Sequence, residues 1–343
     1  MEHKVKFGIF TDLHADIMHD AKERLEKFLN HCRKEDVDFI IHLGDFCYPD
    51  DNKKVVCKPE HTPVNIANAL VGAKRNEKAE IMRMFNEFEK PSYHVLGNHE
   101  CDLCSKEELL AFIGVDDREY YSFDHGGFHF VVLDGNYYKD ADGNFIAYEN
   151  GNYFECGFNK NLSLPWMPPE QIAWLEKDLA QTDKPSVLFS HQSFSEAMSR
   201  FEMHNNSAIR KVIRNAPCGV AACFNGHHHM DVITKEDGVW YIQVNSMSNC
   251  WLGEEFASKN RYGQAVDEQF PDIKYTAPYK DPVYAIVEMD DKGINIQGTE
   301  SEVVGPTPEE LGVYTAGRGC WYDWFGTTGI KITASQQSRY LPF

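Results

Sequence analysis

The chain has 343 residues, with 53 acidic against 34 basic ones and a formal charge of −19 at pH 7. That balance excludes a duplex-DNA or anionic-membrane binder, because both partners call for basic patches that displace counterions. The length suits either two average domains or one α/β core with insertions, and a chain of this size buries roughly 75% of its unfolded surface, so it needs no disulfides.

The ten Cys residues are scattered, which fits a reducing compartment. Cys101 and Cys104 form the one close pair. With no second CxxC to complete a zinc site, packing or a free thiol is the expected role. The sequence opens almost at once on an apolar run, without a charged-then-apolar leader, and no run approaches the ~20 residues of a membrane helix. A cytoplasmic protein is expected.

In chain order, Val5 to Phe10 reads as a strand and is followed by Asp12-Leu13-His14. Ala21 to Lys34 places Leu25, Phe28, Leu29 and Cys32 at helical spacing. Phe39 to Leu43 is a second strand, ending at Gly44-Asp45. Residues 47–75 are polar and contain Pro49, Pro59 and Pro63, so they read as an inserted loop. Asn76 to Glu89 is helical, with Ile81, Met84, Phe85 and Phe88 on one face and Pro91 as its stop. Tyr93 to Leu96 is a strand leading into Gly97-Asn98-His99-Glu100. Ser105 with Glu108 three residues on is a capping-box signal for a helix through Phe112.

Tyr120 to Asp124 and Phe128 to Leu133, joined by Gly126-Gly127, read as a hairpin. Asp134 follows as a weaker strand-end acid. Residues 137–168 are rich in Gly, Asn and aromatics and read as a second insertion. Pro169 to Leu179 is helical, Ser186 to Phe189 is a strand ending at Ser190-His191, and a helix from Asn206 or Ser207 runs through Arg214. Val220 to Phe224 precedes Gly226-His227-His228-His229. Trp240 to Val244, Val283 to Met289 and Ile294 to Gly298 read as late strands. Residues 246–282, with Trp251, form a third irregular insertion, and residues 305–343 are irregular too. The expected organisation is one domain over 1–300, with insertions at about 47–75, 137–168 and 246–282, and a C-terminal extension over 301–343 packed on or near the core. Strand–helix alternation with antiparallel additions predicts mixed sheets, and two sandwiched sheets with helices outside fit the count.

Five polar clusters thus follow five apolar runs. Strands in α/β proteins end at a common rim, so residues just past them converge. Asp, His and Asn are the donors that hold borderline transition metals. An extended Asp12-Leu13-His14 would point both side chains to one side, and the two oxygens of Asp45 could bridge two cations. His42, His94 and His129 lie within apolar strands and are expected to be structural. His3, His19, His31, His61, His125 and His204 read as surface or loop residues.

The ordered set D-x-H, G-D, G-N-H-E, a lone H and G-H-x-H, over residues 12 to 229, resembles the calcineurin-like metallophosphoesterase superfamily. The resemblance implies an α/β fold, a four-layer αββα sandwich of two mixed β-sheets flanked by helices, with two metal ions at the rim. It implies a first ion held by Asp12, His14, Asp45 and His229, and a second held by Asp45, Asn98, His191 and His227. Mn, Fe or Zn are the expected metals. A hydroxide bridging them would attack phosphorus. His99 would contact the phosphate and protonate the leaving group, Asn98 would also touch substrate, and His228 would point away from the metals.

Protein Ser/Thr phosphatases carry an Arg after the G-D motif, where this chain has Phe46-Cys47-Tyr48-Pro49-Asp50. The spelling is most similar to the phosphodiesterase and nucleotide-diphosphatase branch. The expectation is a phosphoesterase acting on a small phosphodiester or nucleotide-type substrate, with no duplex nucleic acid and no membrane as partner. A phosphomonoesterase or protein phosphatase of this fold is the alternative, and a non-catalytic binding protein with this fold is the alternative of another class. Tyr48 and Trp251 are candidate substrate contacts. With Tyr137, Tyr138, Tyr153 and Phe154, they either stack on a base or pack locally.

Overall fold

Near-continuous apolar runs are the mark of strands buried on both faces, and the chain folds accordingly. The structure is a computed structural model and describes residues 3–46, 77–115, 119–153, 165–198, 202–315 and 329–343. The first half runs β1 (Lys4–Phe10), α1 (Ala21–Glu35), β2 (Phe39–His42), α2 (Glu77–Asn86), β3 (Ser92–His94), α3 (Lys106–Ile113), β4 (Tyr121–His125) and β5 (Phe128–Val132). Next come β6 (Tyr137–Lys139), β7 (Phe145–Ala147), α4 (Pro169–Gln181), β8 (Ser186–Ser190), α5 (Asn206–Arg214) and β9 (Val220–Asn225). The remainder is β10 (Val232–Glu236), β11 (Val239–Gln243), β12 (Asn249–Trp251), α6 (Gln264–Gln269), β13 (Thr276–Pro278), β14 (Ala285–Asp290), β15 (Gly293–Gly298) and β16 (Arg339–Pro342). The capping box expected at Ser105 and Glu108 starts α3.

One six-stranded sheet has the order β16-β15-β14-β1-β2-β3, and the other β10-β11-β9-β8-β5-β4. Their alternating side chains build three apolar layers. Phe7, Ile9, Phe39 and Ile41 of the first sheet meet Phe130, Val132, Phe189 and Phe224 of the second. Phe10 and Ile40, on the outer face of the first sheet, pack on Leu25, Phe28 and Phe85 of α1 and α2. Val131, Leu188 and Cys223 pack outward on Leu175 and Leu179 of α4 and Ile209 and Ile213 of α5. Helix, sheet, sheet and helix give a four-layer αββα sandwich, as expected. Among the described residues no helix is long and apolar enough to cross a membrane.

Within each sheet the central strands are parallel: β1 with β2 and β2 with β3, and β5 with β8, β8 with β9, β9 with β11. Their carboxyl ends therefore share one rim.

The structure departs from the sequence reading where strands are short. Residues 246–282 hold the paired β12 and β13 and the helix α6. The tail read as irregular ends in β16, which pairs antiparallel with β15 through Ile294–Leu341 and Asn295–Tyr340. Val313, Ile332 and Ala334 pack with Cys250, Leu252 and Ala277. A four-residue strand with one buried side chain carries almost no periodic signal, and its partner is remote in sequence. The expected insertion at 47–75 lies outside the described residues.

Phe7 spans the inter-sheet core, stacked on Phe39 at 4.9 Å and edge-on to Phe130, Phe189 and Phe224 at 6.0, 5.9 and 5.8 Å. Phe7→Ala is expected to lower unfolding free energy by about 3–5 kcal/mol in urea titration, the cost of a large-to-small core change.

Candidate metal centre

The loops leaving β1, β2, β3, β8 and β9 meet at the shared rim, and their conformation is unusual. Asp12, His14, Asp45, His227 and His229 all have left-handed backbones, with φ of 52°, 49°, 50°, 70° and 52°. Asp, Asn and His enter this region more readily than other non-Gly residues, so their chemistry and their backbone demand coincide. This corrects the expected route for Asp12 and His14. Their side chains do converge, with His14 Nε2 3.7 Å from Asp12 Oδ1, but through a tight turn and not through an extended i, i+2 pair.

Bonds between loops hold this strain. Asp12 N donates to the Gly44 carbonyl at 2.9 Å and His14 N to the Asp45 carbonyl at 3.0 Å. Ser246 Oγ donates to the Asp12 carbonyl at 2.9 Å and Ser248 Oγ to that of Leu13 at 2.7 Å. The Glu100 carboxylate accepts from Asp45 N, Phe46 N and Gly97 N at 3.0, 2.7 and 2.8 Å, tying the second loop to the third. Burial and the Asp45 charge push Glu100 up to about 8, while the three amides favour its ionised form. The approach is so close that a Cβ at Gly97 would lie 2.2 Å from both Asp45 N and Asp45 Oδ1.

Two ligand-type clusters result. Asp12, His14 and His229 offer donor atoms within 4.8 Å of one another, and Asp45, His191 and His227 do the same. In the first, His229 Nε2 is 3.0 Å from Asp12 Oδ1 and 3.4 Å from His14 Nε2. In the second, His191 Nε2 is 3.2 Å from Asp45 Oδ2, 3.1 Å from His227 Nδ1 and 3.1 Å from Asn98 Oδ1. Asp45 Oδ2 also lies 3.9 Å from His14 Nε2, so this single oxygen faces both clusters. Its partner Oδ1 accepts His99 N at 2.8 Å.

The donor set fits cations. Asp12 Oδ1 is buried without a hydrogen bond despite the nearby His229. The second imidazole nitrogens are engaged as metal-binding histidines require: His191 Nδ1 bonds the Leu43 carbonyl at 2.7 Å and His229 Nδ1 the Asn249 carbonyl at 2.6 Å. His14 Nδ1 faces Asp16 at 3.7 Å. Burial opposes charge throughout; opposite charges win at Asp12, Asp45, His14 and His191, whereas burial and the His191 charge hold His227 well below the ordinary imidazole range. His229 holds the Asp12 carboxyl well below its usual range, His191 does the same for Asp45, and Asp45 pushes His191 up to about 9. Three nitrogen or oxygen donors per cluster, plus the neutral Asn98 oxygen, suit a borderline divalent ion.

The sequence profile of calcineurin-like phosphoesterases matches residues 5–231. The chain belongs to this family. A manganese-dependent ADP-ribose/CDP-alcohol diphosphatase of Oryza sativa subsp. japonica is 26% identical over 181 residues, covering 43% of this chain and 56% of that protein. An acid phosphatase of Aspergillus ficuum is 28% identical over 134 residues, covering 32% of this chain and 21% of its own length. The chain thus spans about half or less of the curated relatives it matches. A dimetal phosphatase of Danio rerio shares the fold, with a TM-score of 0.60 at 16% identity over 88% of this chain and 98% of that one.

In this calcineurin-like phosphoesterase the other expected residues fall as follows. His99 stands apart from both clusters, its side chain 30% exposed and its Nδ1 2.7 Å from Asp102 Oδ2. His228 is buried edge-on to His227 and joins neither cluster. Asp134 is a salt-bridge partner of Lys106 at 2.5 Å. His42 Nε2 meets His94 Nδ1 at 2.8 Å in a buried chain behind Gly44, and burial pushes His94 down to about 3. His129 sits between Asp124 and Asp178. Cys101 and Cys104 are buried free thiols.

Trp251 lies in β12 against Tyr275, two residues beyond the Asn249 carbonyl that holds His229. Tyr48 and Phe154 lie outside the described residues. Tyr137 donates to Glu119 at 2.6 Å and lies under Lys106 Nζ; Tyr138 and Tyr153 are buried.

Four supporting residues escaped the sequence reading: Asp16, Ser246, Ser248 and Asp102. Ser246 and Ser248 do follow a strand end, but hydroxyls are not ligand types. Asp102, three residues past His99, bonds its Nδ1, and Asp16, two residues past His14, faces that ring's Nδ1 at 3.7 Å, relations that only the folded turns create.

Gly97→Ala should leave the far-ultraviolet circular dichroism spectrum intact and weaken divalent-metal binding by about 10–100-fold in calorimetric titration, the usual range for disturbing a ligand's support.

Proposed function

We propose that this chain is a metal-dependent phosphoesterase that hydrolyses a small phosphodiester or nucleotide-type substrate with two divalent ions. The reading is carried by the pair of clusters abutting on Asp45 Oδ2, beside a non-cluster histidine whose side chain reaches solvent. Asp12, His14, Asp45 and His229 would hold one ion, and Asp45, Asn98, His191 and His227 the other. The N/O donor set and the manganese dependence in the rice relative's name support manganese. That relative's name also supports a diphosphate or diester substrate. Trp251 is proposed as a wall for the substrate's base.

Bound ions of this kind polarise phosphoryl oxygens and make water a nucleophile near neutral pH. The chain's own contribution is positional. Nδ1 of His99 is committed to Asp102, so Nε2 is the nitrogen that gives a proton to the leaving oxygen. The amide of His99 bonds Asp45 Oδ1, which fixes the proton donor relative to the shared carboxylate. The side-chain amide of Asn98 has its oxygen on His191 and its other end on the Tyr153 hydroxyl, which fixes that oxygen for an ion.

A second reading, a phosphomonoesterase, draws on the acid phosphatase relative. It differs in what the loops admit, and the ratio of kcat/KM on p-nitrophenyl phosphate to that on bis(p-nitrophenyl) phosphate separates the two.

Asp45→Ala should remove nearly all diesterase activity and reduce bound metal at both positions by elemental analysis; full activity in that variant would sink the assignment. His99→Ala should keep its metal while turnover falls roughly 10²–10⁴-fold, the usual loss of a general acid. Ligating histidines must be neutral, so protons compete with metal as pH falls. Asp45 raises metal-free His191 to about 9, so at limiting manganese activity should fall as pH drops from that value through the ordinary imidazole range, and recover with excess manganese. A rate flat to pH ~4.5 contradicts histidine ligation.

A further inference from the structure

The turn Glu149–Tyr153 lies within the second insertion, a stretch rich in Gly, Asn and aromatics. In the structure it is fastened to the turn after His99. Asn150 N donates to the Cys104 carbonyl at 2.8 Å and Gly151 N to the Cys101 carbonyl at 3.1 Å. Asn152 closes the turn on itself, accepting Glu149 N at 3.1 Å and donating to the Ala147 carbonyl at 2.9 Å. The Tyr153 ring stacks on Tyr148 with centroids 4.3 Å apart and planes 17° apart. So fixed, the Tyr153 hydroxyl donates to Asp102 Oδ1. Asp102 Oδ2 in turn accepts His99 Nδ1 at 2.7 Å. The Asp102 side chain is almost wholly buried, whereas His99 reaches solvent.

We infer that Tyr153, acting through Asp102, is a positioning residue for His99, and that the second insertion thereby sets how well the enzyme expels basic leaving groups. This rests on the proposed phosphoesterase reading. A buried carboxylate with a donor on one oxygen only can swing about its Cβ–Cγ bond. A second donor on the other oxygen fixes its plane and, with it, the imidazole ring that it holds. The affected step is the departure of the ester oxygen. As its bond to phosphorus breaks, that oxygen keeps the electron pair and takes the proton from His99 Nε2. Water supplies the oxygen that replaces it, and solvent returns a proton to His99. A phenolate of low basicity leaves without much help, but a more basic oxygen needs the proton. The competing interpretations, that Tyr153 serves only to pack against Tyr148 or acts through the Asn98 side chain that its hydroxyl also bonds, predict no such selectivity and an undiminished loss without His99.

The test uses the full chain loaded with manganese and a series of methyl aryl phosphates, from p-nitrophenol to unsubstituted phenol as leaving group. Tyr153→Phe keeps the ring and removes only the hydroxyl. Its loss of kcat should be about tenfold larger for the phenol ester than for the p-nitrophenol ester, the lower end of what losing such a support does. In a His99→Ala background, Tyr153→Phe should add no further loss. Equal losses across the series, or a full additional loss in that background, overturn the inference. If the wild-type protein cleaves no ester of the series, the small-diester reading fails instead. The positioning is then read from side-chain ¹⁵N resonances of His99 in zinc-loaded protein. Tyr153→Phe should shift Nδ1, and an unchanged Nδ1 signal overturns the inference.

Discussion

The Asp45 carboxylate is buried and has one oxygen facing two histidine-containing clusters, while the other is bonded to the His99 amide. A buried anion must be compensated where it sits, and here the compensation comes from strand ends far apart in sequence. Much of the rim follows from that demand. Gly44 and Gly97 let the second and third loops approach, Glu100 clasps their amides, and Ser246 and Ser248 hold the first loop from a third direction.

Five left-handed non-Gly residues in one place carry a backbone cost on the order of 1–3 kcal/mol each. Such strain persists only where the surroundings over-determine it. The sandwich does so. Each central strand is buried on both faces, so the ends of β1, β2, β8 and β9 cannot shift without disturbing two apolar layers. Rigidity in the layers therefore keeps strained loops in register at the rim, and the donor atoms meet as a consequence.

The groups around the centre divide into those that face the shared carboxylate and those that aim them. Leu43 and Asn249 carbonyls orient His191 and His229, and Asp16 faces His14. Asp102 does the same for His99, with Tyr153 behind it. In the proposed reaction this second group decides geometry, whereas the first decides charge. It also links the proposed proton donor to the loop that carries Tyr153.

Much was legible in the sequence. The long apolar runs marked β1, β2, β5, β8 and β9, the capping box marked α3, and the Asp, His and Asn residues behind the runs marked the rim. Periodicity and residue chemistry are local properties, so they survive without a fold. The strand order was not legible, since β14 lies beside β1 only because the sheet pairs them. Nor were β10, β12, β13 and β16 visible, as short edge strands hold few alternating residues. The sequence by itself determined which donors stand at which strand ends. Only the tertiary structure decided that Asp12 and His14 converge by left-handed turns, that one oxygen of Asp45 faces both clusters, and that Tyr153 reaches Asp102. Those are distances between loops remote in sequence, and packing of the two sheets sets them.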